Sequence, residues 1–484
     1  MPAALRAQEF RTVKSSNLWN DGRNVNGLRA DSLTVSFAEL YGGGEGGDYR
    51  NTYEAKSLWK AGARAETITH FDRISMVGAF SFEHTDYRKM CGSMSTRPGY
   101  YPVDFLEFTP GRKTRQTYTV YGGITADVAD CWRIGGLLDF KSSNYTKRKD
   151  LRHTDYVLDI TVAPSFLWHR GDWAAGASYI FSKNSETIVA EELGIISGSY
   201  YAFLDKGLRY GVYDVWYNSG LHLKGGLPTR DNYNGLAVQA GWRDVFAEVE
   251  YGRRSGKTGE KQNIFYKFSG DEVSVKAGYR LRASDISHYF RAGYSFRTME
   301  NRENILEDHT ENGVTTTVSY GSNSLRNRER HSLFAGWDVT RELFRFGLRA
   351  EWDKDKDVVS ELYPYVETSD KNLFRFIIDF YLPIRRFAIG LNGTFRRGWV
   401  EESERTVSDE VSAESVPYRL MDYYNIENEY ITMPSFCGKL SLRYTFRNNV
   451  YIEGEVAPSV SLKKVKYIAG TDRTAGAIRI GYTF

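Results

Sequence analysis

The chain has 484 residues, of which 15% are aromatic, 26% are charged and 45 are glycine, and its formal net charge is +3. No stretch comes near the roughly 20 apolar residues that a membrane-spanning helix needs, which excludes a helical membrane protein. So small a net charge on so long a chain does not indicate a nucleic-acid partner, and none is expected.

The first 32 residues show no strand pattern. Ala7 stands where a signal peptidase would cut, so residues 1–7 are predicted to be a signal-peptide remnant, with an ordinary disordered terminus as the alternative. Residues 8–32 are polar and include Trp19, Asp21 and Arg23. They are predicted to form a periplasmic N-terminal segment, which either enters the barrel as a plug or stays outside as an exposed tail.

From residue 33 onward, apolar and polar residues alternate with a period of two. In Phe344–Trp352 every even position is apolar and every odd one is charged or glycine, and Val273–Leu281 and Leu440–Phe446 repeat the pattern. Successive side chains of a strand point to opposite faces, so each segment is predicted to be a strand with one apolar face. The first strand is expected near 33–42.

The connections between these strands alternate between short and long. Eight tight turns are predicted near 68–72, 127–131, 168–172, 242–244, 284–286, 340–342, 382–386 and 446–449. Nine longer polar stretches are predicted at 43–55, 89–113, 147–152, 186–232, 255–270, 300–328, 355–370, 400–435 and 463–473. Together they give about 18 strands, with 16 as the lower bound.

Short turns on one side and long loops on the other are typical of outer-membrane barrels. Aromatic residues near the strand ends fit the belts at a lipid–water boundary. A soluble β-propeller is disfavoured because no repeat of blade length is present. The predicted fold is therefore all-β: a transmembrane antiparallel β-barrel over residues 33–484, with short periplasmic turns and long extracellular loops.

The longest predicted loop, 186–232, is unusually aromatic and includes Tyr210 and Trp216. Exposed aromatic side chains at this density usually mark a surface that packs against another part of the protein or against a partner. The loop is expected to fold inward and constrict the pore, to cap it, or to present a surface to a partner.

The last strand places Ile478, Ile480, Tyr482 and Phe484 on one face. This pattern resembles the C-terminal assembly signal of Gram-negative outer-membrane barrels. The resemblance implies recognition by the barrel assembly machinery and a location in the outer membrane, in contact with lipid and lipopolysaccharide. Together with the runs Asn17–Leu28 and Gly42–Gly46, it makes the chain similar to large uncharacterised outer-membrane β-barrel proteins of Bacteroidota, from which no activity can be transferred.

If the apolar faces meet lipid, the alternate positions point into the lumen. Six inward basic residues are predicted to set selectivity: Arg280, Arg291, Arg345, Arg349, Arg375 and Arg443. Acidic residues lie among them, as Glu351 does beside Arg349. Two interpretations stay open: an excess of basic groups that attracts anions, or ion pairs that only stiffen the barrel.

No chemistry-bearing motif stands out. The eight histidines and the three cysteines, Cys91, Cys131 and Cys437, show neither metal-ligand spacing nor a neighbouring nucleophile. The chain is therefore predicted not to be an enzyme, with no catalytic residues, metal or other cofactor. The expected function is a passive or gated channel or transporter for polar solutes, anionic ones among them. The alternative is a structural or accessory barrel with a blocked lumen that partners a surface lipoprotein or a TonB-dependent nutrient transporter.

Overall fold

The computed structural model describes residues 16–30, 34–149, 151–191, 201–215, 226–261, 263–342, 344–360, 366–402 and 420–484. Within these ranges the chain forms twenty antiparallel strands, one α-helix and two 3₁₀ helices. The strands are β1 (Val35–Gly47), β2 (Ser57–His70), β3 (Ile74–Ser93), β4 (Asp104–Ala129), β5 (Trp132–Lys147), β6 (Arg152–Arg170), β7 (Trp173–Glu191), β8 (Tyr201–Asp205), β9 (Gly211–Val215), β10 (Leu227–Trp242), β11 (Val245–Glu260), β12 (Asn263–Ala283), β13 (Ile286–Glu311), β14 (Val314–Arg341), β15 (Phe344–Ser360), β16 (Val366–Ile384), β17 (Phe387–Glu402), β18 (Ser435–Thr445), β19 (Val450–Ser461) and β20 (Asp472–Thr483). The helices are α1 (Leu420–Thr432) and the 3₁₀ helices Leu18–Asp21 and Val25–Ala30.

Eighteen of these strands, β1–β7 and β10–β20, form a closed ring. β7 pairs with β10, and β20 closes the ring on β1 with Thr483 opposite Phe37. Closure leaves no unpaired sheet edge inside a bilayer. Strands β8 and β9 form a hairpin that pairs with the extracellular end of β4. The predicted barrel, its strand number and its first strand are confirmed.

All eight predicted tight turns are present, but three predicted loops are wrong. At 355–370 the strands continue to Ser360 and resume at Val366. In place of loops at 255–270 and 300–328, the strands continue, to Glu260 and Asn263 in one hairpin and to Glu311 and Val314 in the other. Above the membrane both faces of a strand meet water, so its sequence no longer alternates between apolar and polar residues. The backbone pairing between the strands nevertheless continues. The second hairpin turns at Asn312-Gly313, both with positive φ, as a type I′ turn requires.

The outer surface carries an apolar band. On β10, Leu236, Val238 and Trp242 are about half exposed, whereas Ala237 and Gln239 between them are buried. Apolar side chains this exposed are covered by lipid in a barrel of this kind. The apolar band therefore lies in lipid, and the protein crosses the membrane with strands, as outer-membrane barrels do. Across the described ranges, no helix has the length and apolar character to cross a membrane.

Candidate functional site

Residues 16–30, here called the floor segment, lie inside the barrel near the periplasmic turns. At one end, Arg29 bonds to the carbonyl of Asp72 and forms an ion pair with Asp127 of β4 (2.7 Å). At the other end, Leu18 packs against Phe246 of β11 and Tyr289 of β13. Leu18 also lies against Gly278 of β12. Since β4 and β12 are six strands apart in an eighteen-stranded ring, the segment crosses one side of the lumen.

Two asparagines fix the middle of the floor segment to the wall. Asn24 Nδ2 donates to the carbonyl oxygen of Phe166 (2.9 Å) and to Gln239 Oε1 (3.0 Å). Asn26 Nδ2 donates to Ser165 Oγ (3.1 Å). Both asparagine side chains are buried, so these bonds replace the water that they lose.

Glycines in the wall let the floor segment approach closely. A Cβ atom at Gly135 would lie 2.6 Å from Val25 Cγ1 and 2.8 Å from Asn26 Oδ1, and one at Gly176 would lie 2.5 Å from Asn24 Nδ2. Real Cβ atoms do not come this near. The wall is therefore shaped to receive this segment.

Three residues named from the sequence as plug contacts meet the wall in this segment. The Trp19 ring lies 5.0 Å from that of Phe246. Asp21 pairs with Arg291 of β13 (2.8 Å), and Arg23 pairs with Glu250 of β11 (3.0 Å). Of the two other residues named, Trp216 lies outside the described residues.

Residues 94–103, here called the inward loop, leave the extracellular ends of β3 and β4 and enter the lumen. The backbone N–H of Thr96 donates to carboxylates of Asp155 and Glu186, each at 3.0 Å. Arg97 forms an ion pair with Asp159 (3.0 Å). The hydroxyl of Tyr100 accepts from Asn184 (2.8 Å) and Arg254 (3.0 Å).

The inward loop reaches the opposite wall. The carbonyl oxygen of Gly99 accepts from Arg328 (2.7 Å) and Arg330 (3.0 Å), and that of Pro102 accepts from Arg326 (2.6 Å). All three arginines lie on β14, eight strands from β4 round the ring. The inward loop therefore crosses the lumen above the floor segment. A cavity of about 450 Å³ lies beside the floor segment, lined by Arg23 and by residues of β10–β14, Arg330 among them.

The rest of the lumen faces β15–β20, β1 and β2, and we call it the half-lumen. Its wall includes Arg349 and Lys439, whose side chains are 48% and 38% exposed. Water therefore reaches charged groups on this wall, in contrast to the buried groups that hold the floor segment.

All six arginines chosen from the sequence point inward and form ion pairs. Arg280 and Arg291 lie on the floor-segment side, and the other four line the half-lumen. The pairs are Arg280 with Asp244, Arg291 with Asp21 and Asp338, Arg345 with Asp338, Arg349 with Glu351, Arg375 with Glu351 and Asp353, and Arg443 with Glu453.

Pairing does not cancel the positive charge everywhere. A chain of contacts runs from Lys439 to Glu455, then to Arg479, Glu453 and Arg443, at 2.6–3.2 Å. It joins three basic groups to two acidic ones. If all five are ionised, the stretch of wall from β18 to β20 carries one net positive charge.

Helix α1, here called the cap helix, lies across the extracellular end of the half-lumen. Glu429 accepts the backbone N–H groups of Lys466 (2.5 Å), Tyr467 and Ile468 (2.7 Å each), which precede β20. Arg396 of β17 donates to the carbonyl oxygen of Tyr430 (2.7 Å). The helix thus spans between strands that line the half-lumen.

The β8–β9 hairpin supports the cap helix from the other side. Arg209, in its turn, pairs with Asp205 and with Glu427 of the cap helix, both at 3.0 Å. Burial acts to raise the pKa of Glu427, but nearby Lys371 and Arg209 hold it below its ordinary value. Tyr210, the remaining residue named from the sequence, closes this turn through backbone bonds to Lys206 and Gly207. The described part of the aromatic loop therefore lies over the lumen.

One carboxyl in this region is expected to make the hairpin pH-sensitive. Asp104 stands at the extracellular end of β4, opposite Asp205 of β8, outside the membrane-spanning part. Burial raises its pKa to about 7, the Asp205 carboxylate adds to the shift, and a hydrogen bond from Ser93 opposes it. Because the folded state holds this proton more tightly than the unfolded state, its stabilisation is complete below pH 4 and is lost as the pH rises through 7.

Hydrogen exchange measures this effect. We expect protection of residues 201–205, corrected for intrinsic rate, to fall between pH 5 and pH 8 by on the order of 1–3 kcal/mol. Asp104→Asn mimics the protonated acid and should remove the difference while keeping the bond from Ser93. An equal pH dependence in both proteins would contradict the assignment to Asp104.

In the described part of the chain, no group of three or more His, Cys, Asp or Glu side chains could hold a metal ion. Cys91, Cys131 and Cys437 are free thiols.

Comparisons with known proteins give a family and a general likeness in shape. A family model described as "Family of unknown function (DUF6850)" matches residues 27–484. Among curated proteins, none matches.

Solved structures similar to the chain include proteins of three bacteria. The ferric preacinetobactin receptor BauA of Acinetobacter baumannii is 8% identical, with 93% of this chain and 80% of that one covered and a TM-score of 0.39. The outer membrane transporter YddB of Escherichia coli and a mutant of the ferric enterobactin receptor PfeA of Pseudomonas aeruginosa are each 9% identical, with 94% and 81% covered and TM-scores of 0.43. At these values no property of those proteins is carried over.

Proposed function

The chain belongs to DUF6850, a family of unknown function, and we propose from its own geometry that it is a gated channel for polar solutes, anionic ones among them. The observation that carries this proposal is the half-lumen. Its charged wall is open to water, while the floor segment and the inward loop cross the other side of the barrel. The cap helix lies across its extracellular end and acts as the gate.

Charge on the β18–β20 part of the half-lumen wall supports the preference for anions, whereas on β1 and β2 Arg64 contacts two carboxylates, Glu39 and Glu66. The stretch from β18 to β20 has one more basic than acidic group. Arg349 of β15 and Lys439 of β18 are the most accessible of the half-lumen cations described above. A water-filled pore lined by an excess of one sign concentrates the opposite ion. The ion pairs hold these arginines in place, so the two interpretations of the lumen charges are compatible.

A reversal-potential measurement tests the selectivity. The protein, with its cap helix replaced by a flexible linker, is placed in planar bilayers under a KCl gradient. We expect anions to be favoured, and the double variant Arg349→Gln, Lys439→Gln to lower the anion-to-cation permeability ratio at least about twofold. Arg302→Gln serves as the matched control, because its side chain is 47% exposed but lies outside the lumen. A cation preference before any charge is removed would refute the proposal.

The second candidate is an accessory barrel with a blocked lumen that partners a surface lipoprotein or a TonB-dependent nutrient transporter. The observation in its favour is the obstruction itself, since two segments cross the barrel and a helix covers what remains. Purification in mild detergent discriminates between the two. If the protein is an accessory barrel, it should copurify with a companion protein in fixed stoichiometry and should not conduct after the cap helix is replaced. If it is a channel, the variant without the cap helix should conduct and no companion should be needed.

A further inference from the structure

Residues 304–325, here called the tip hairpin, project beyond the rest of the barrel. The last residue of β13 that pairs with β12 is Glu303, and the first residue of β14 that pairs with β15 is Arg326. Between these points the two strands pair with each other and, among the described residues, with no other strand. Residues 304–311 alone extend about 27 Å at 3.4 Å per residue.

The free edge of β14 is suited to pairing. Residues 314–319 pair in regular register with 306–311, before a bulge next to Gly321. Five consecutive β-branched residues, Val314–Val318, give this segment a strong preference for a strand. Charged residues and proline normally prevent an edge strand from pairing with another chain, and this segment contains neither.

The neighbouring strand gives this edge a negative charge. Glu307, Asp308 and Glu311 lie directly across from Val318, Thr317 and Val314. Residues 304–325 contain no lysine or arginine. An added strand would lie two strand spacings from these acids, about 10 Å and roughly one Debye length away, so lysine or arginine side chains on it would be attracted.

We propose that the outer edge Val314–Ser319 is the docking strand for a β-strand of another protein at the cell surface, which pairs antiparallel and carries basic residues. The added strand gains backbone hydrogen bonds along the edge and charge complementarity from the acids. A second copy of this chain does not fit. Copies in one membrane share an orientation, so its β14 would run parallel to this one and bring a second set of acids.

Two peptide probes test the docking strand on the full-length protein in lipid nanodiscs. One alternates threonine and valine between flanking lysines, and the other has glutamate in place of lysine. Fluorescence anisotropy should show the lysine peptide binding at least about tenfold more tightly, with an affinity that falls as salt is raised. Equal binding of the two peptides, or no binding of either, would overturn the proposal.

Variants separate pairing from charge. Thr316→Pro with Thr317→Pro should abolish binding, because N–H directions alternate along a strand and one of the two faces outward. Reversal of Glu307, Asp308 and Glu311 to lysine should make the glutamate peptide the tighter ligand, and this variant keeps every backbone bond. The matched control, Asp72→Lys with Asp130→Lys, changes periplasmic turns and should leave both affinities unchanged.

A cysteine variant tests whether a second copy of this chain occupies the edge. Val318→Cys places a thiol beside the free edge of β14. We expect no disulfide-linked dimer when the variant is oxidised in nanodiscs that hold two copies. An efficient dimer that the unsubstituted protein, with its three free thiols, does not form would mean that a second copy occupies the edge, and the proposal would fall.

Discussion

Replacement of the cap helix, Leu420–Thr432, by a glycine–serine linker of the same length is expected to raise the conductance of the protein in planar bilayers at least about tenfold over the intact protein. The intact protein should stay near the background. The reason is geometric: the helix is the described element that closes the extracellular end of the half-lumen. It is held by Glu429 on three backbone N–H groups, by Arg396 and by Arg209.

A milder variant should give a graded result. Glu429→Gln keeps the size of the side chain but removes the charge from the hydrogen bonds to residues 466–468, and charge-assisted bonds are roughly twice as strong as neutral ones. We expect brief openings in this variant rather than a steady current. As a control, shortening the tip hairpin to a two-residue turn removes extracellular residues away from the mouth and should leave the conductance at background. An intact protein that already conducts like the linker variant would contradict the gate.

Glu107→Gln is expected to destabilise the extracellular ends of β4 and β5 by about 3–5 kcal/mol, the usual effect of breaking a buried ion pair. Glu107 forms ion pairs with Lys113 (3.0 Å) and Lys147, and all three side chains have no exposed surface. Loss of the carboxylate leaves two ammonium groups without a counter-ion in the interior. Hydrogen exchange of residues 104–113 should speed up more than about a hundredfold.

Two further proteins make this test specific. The double variant Glu107→Gln, Lys147→Met removes one stranded charge and should recover part of the lost protection, which a double-mutant cycle measures. Glu260→Gln breaks an ion pair with Arg230 whose side chains are 46% and 45% exposed, so its cost should stay within about 1 kcal/mol. Equal effects of the buried and exposed changes would show that the site is hydrated.

The barrel could be predicted because lipid imposes a simple rule on sequence. Every second residue of a segment such as Phe344–Trp352 must be apolar, and every turn between such segments must be short on one side. The rule ends at the membrane surface. For that reason the sequence predicts loops at 255–270, 300–328 and 355–370, although strands occupy most of these ranges: water on both faces leaves no alternation to detect.

The segments inside and above the lumen could not be predicted in the same way. The inward loop is positioned by Asp159, Glu186 and Arg328, which are distant in sequence, and no local pattern links them. Weak signals were present nonetheless. Tyr423, Tyr424 and Tyr430 are spaced as on one side of a helix, and Arg326, Arg328 and Arg330 repeat on one face of a strand. The first pattern indicates the cap helix. The second indicates a row of guanidinium groups on one face of a strand, which need hydrogen-bond acceptors from another segment.

The two segments that cross the lumen also have a mechanical consequence. Both join the β3–β4 side of the ring to the β12–β14 side, one near each end, and they tie these two parts of the wall together along chords six and eight strands wide. The part of the wall that these segments hold together resists deformation, and the part of the wall that they do not contact deforms more easily. Fluctuations of the barrel wall are therefore expected to be largest in the strands from β15 through β20 to β2, where the water-accessible arginines lie.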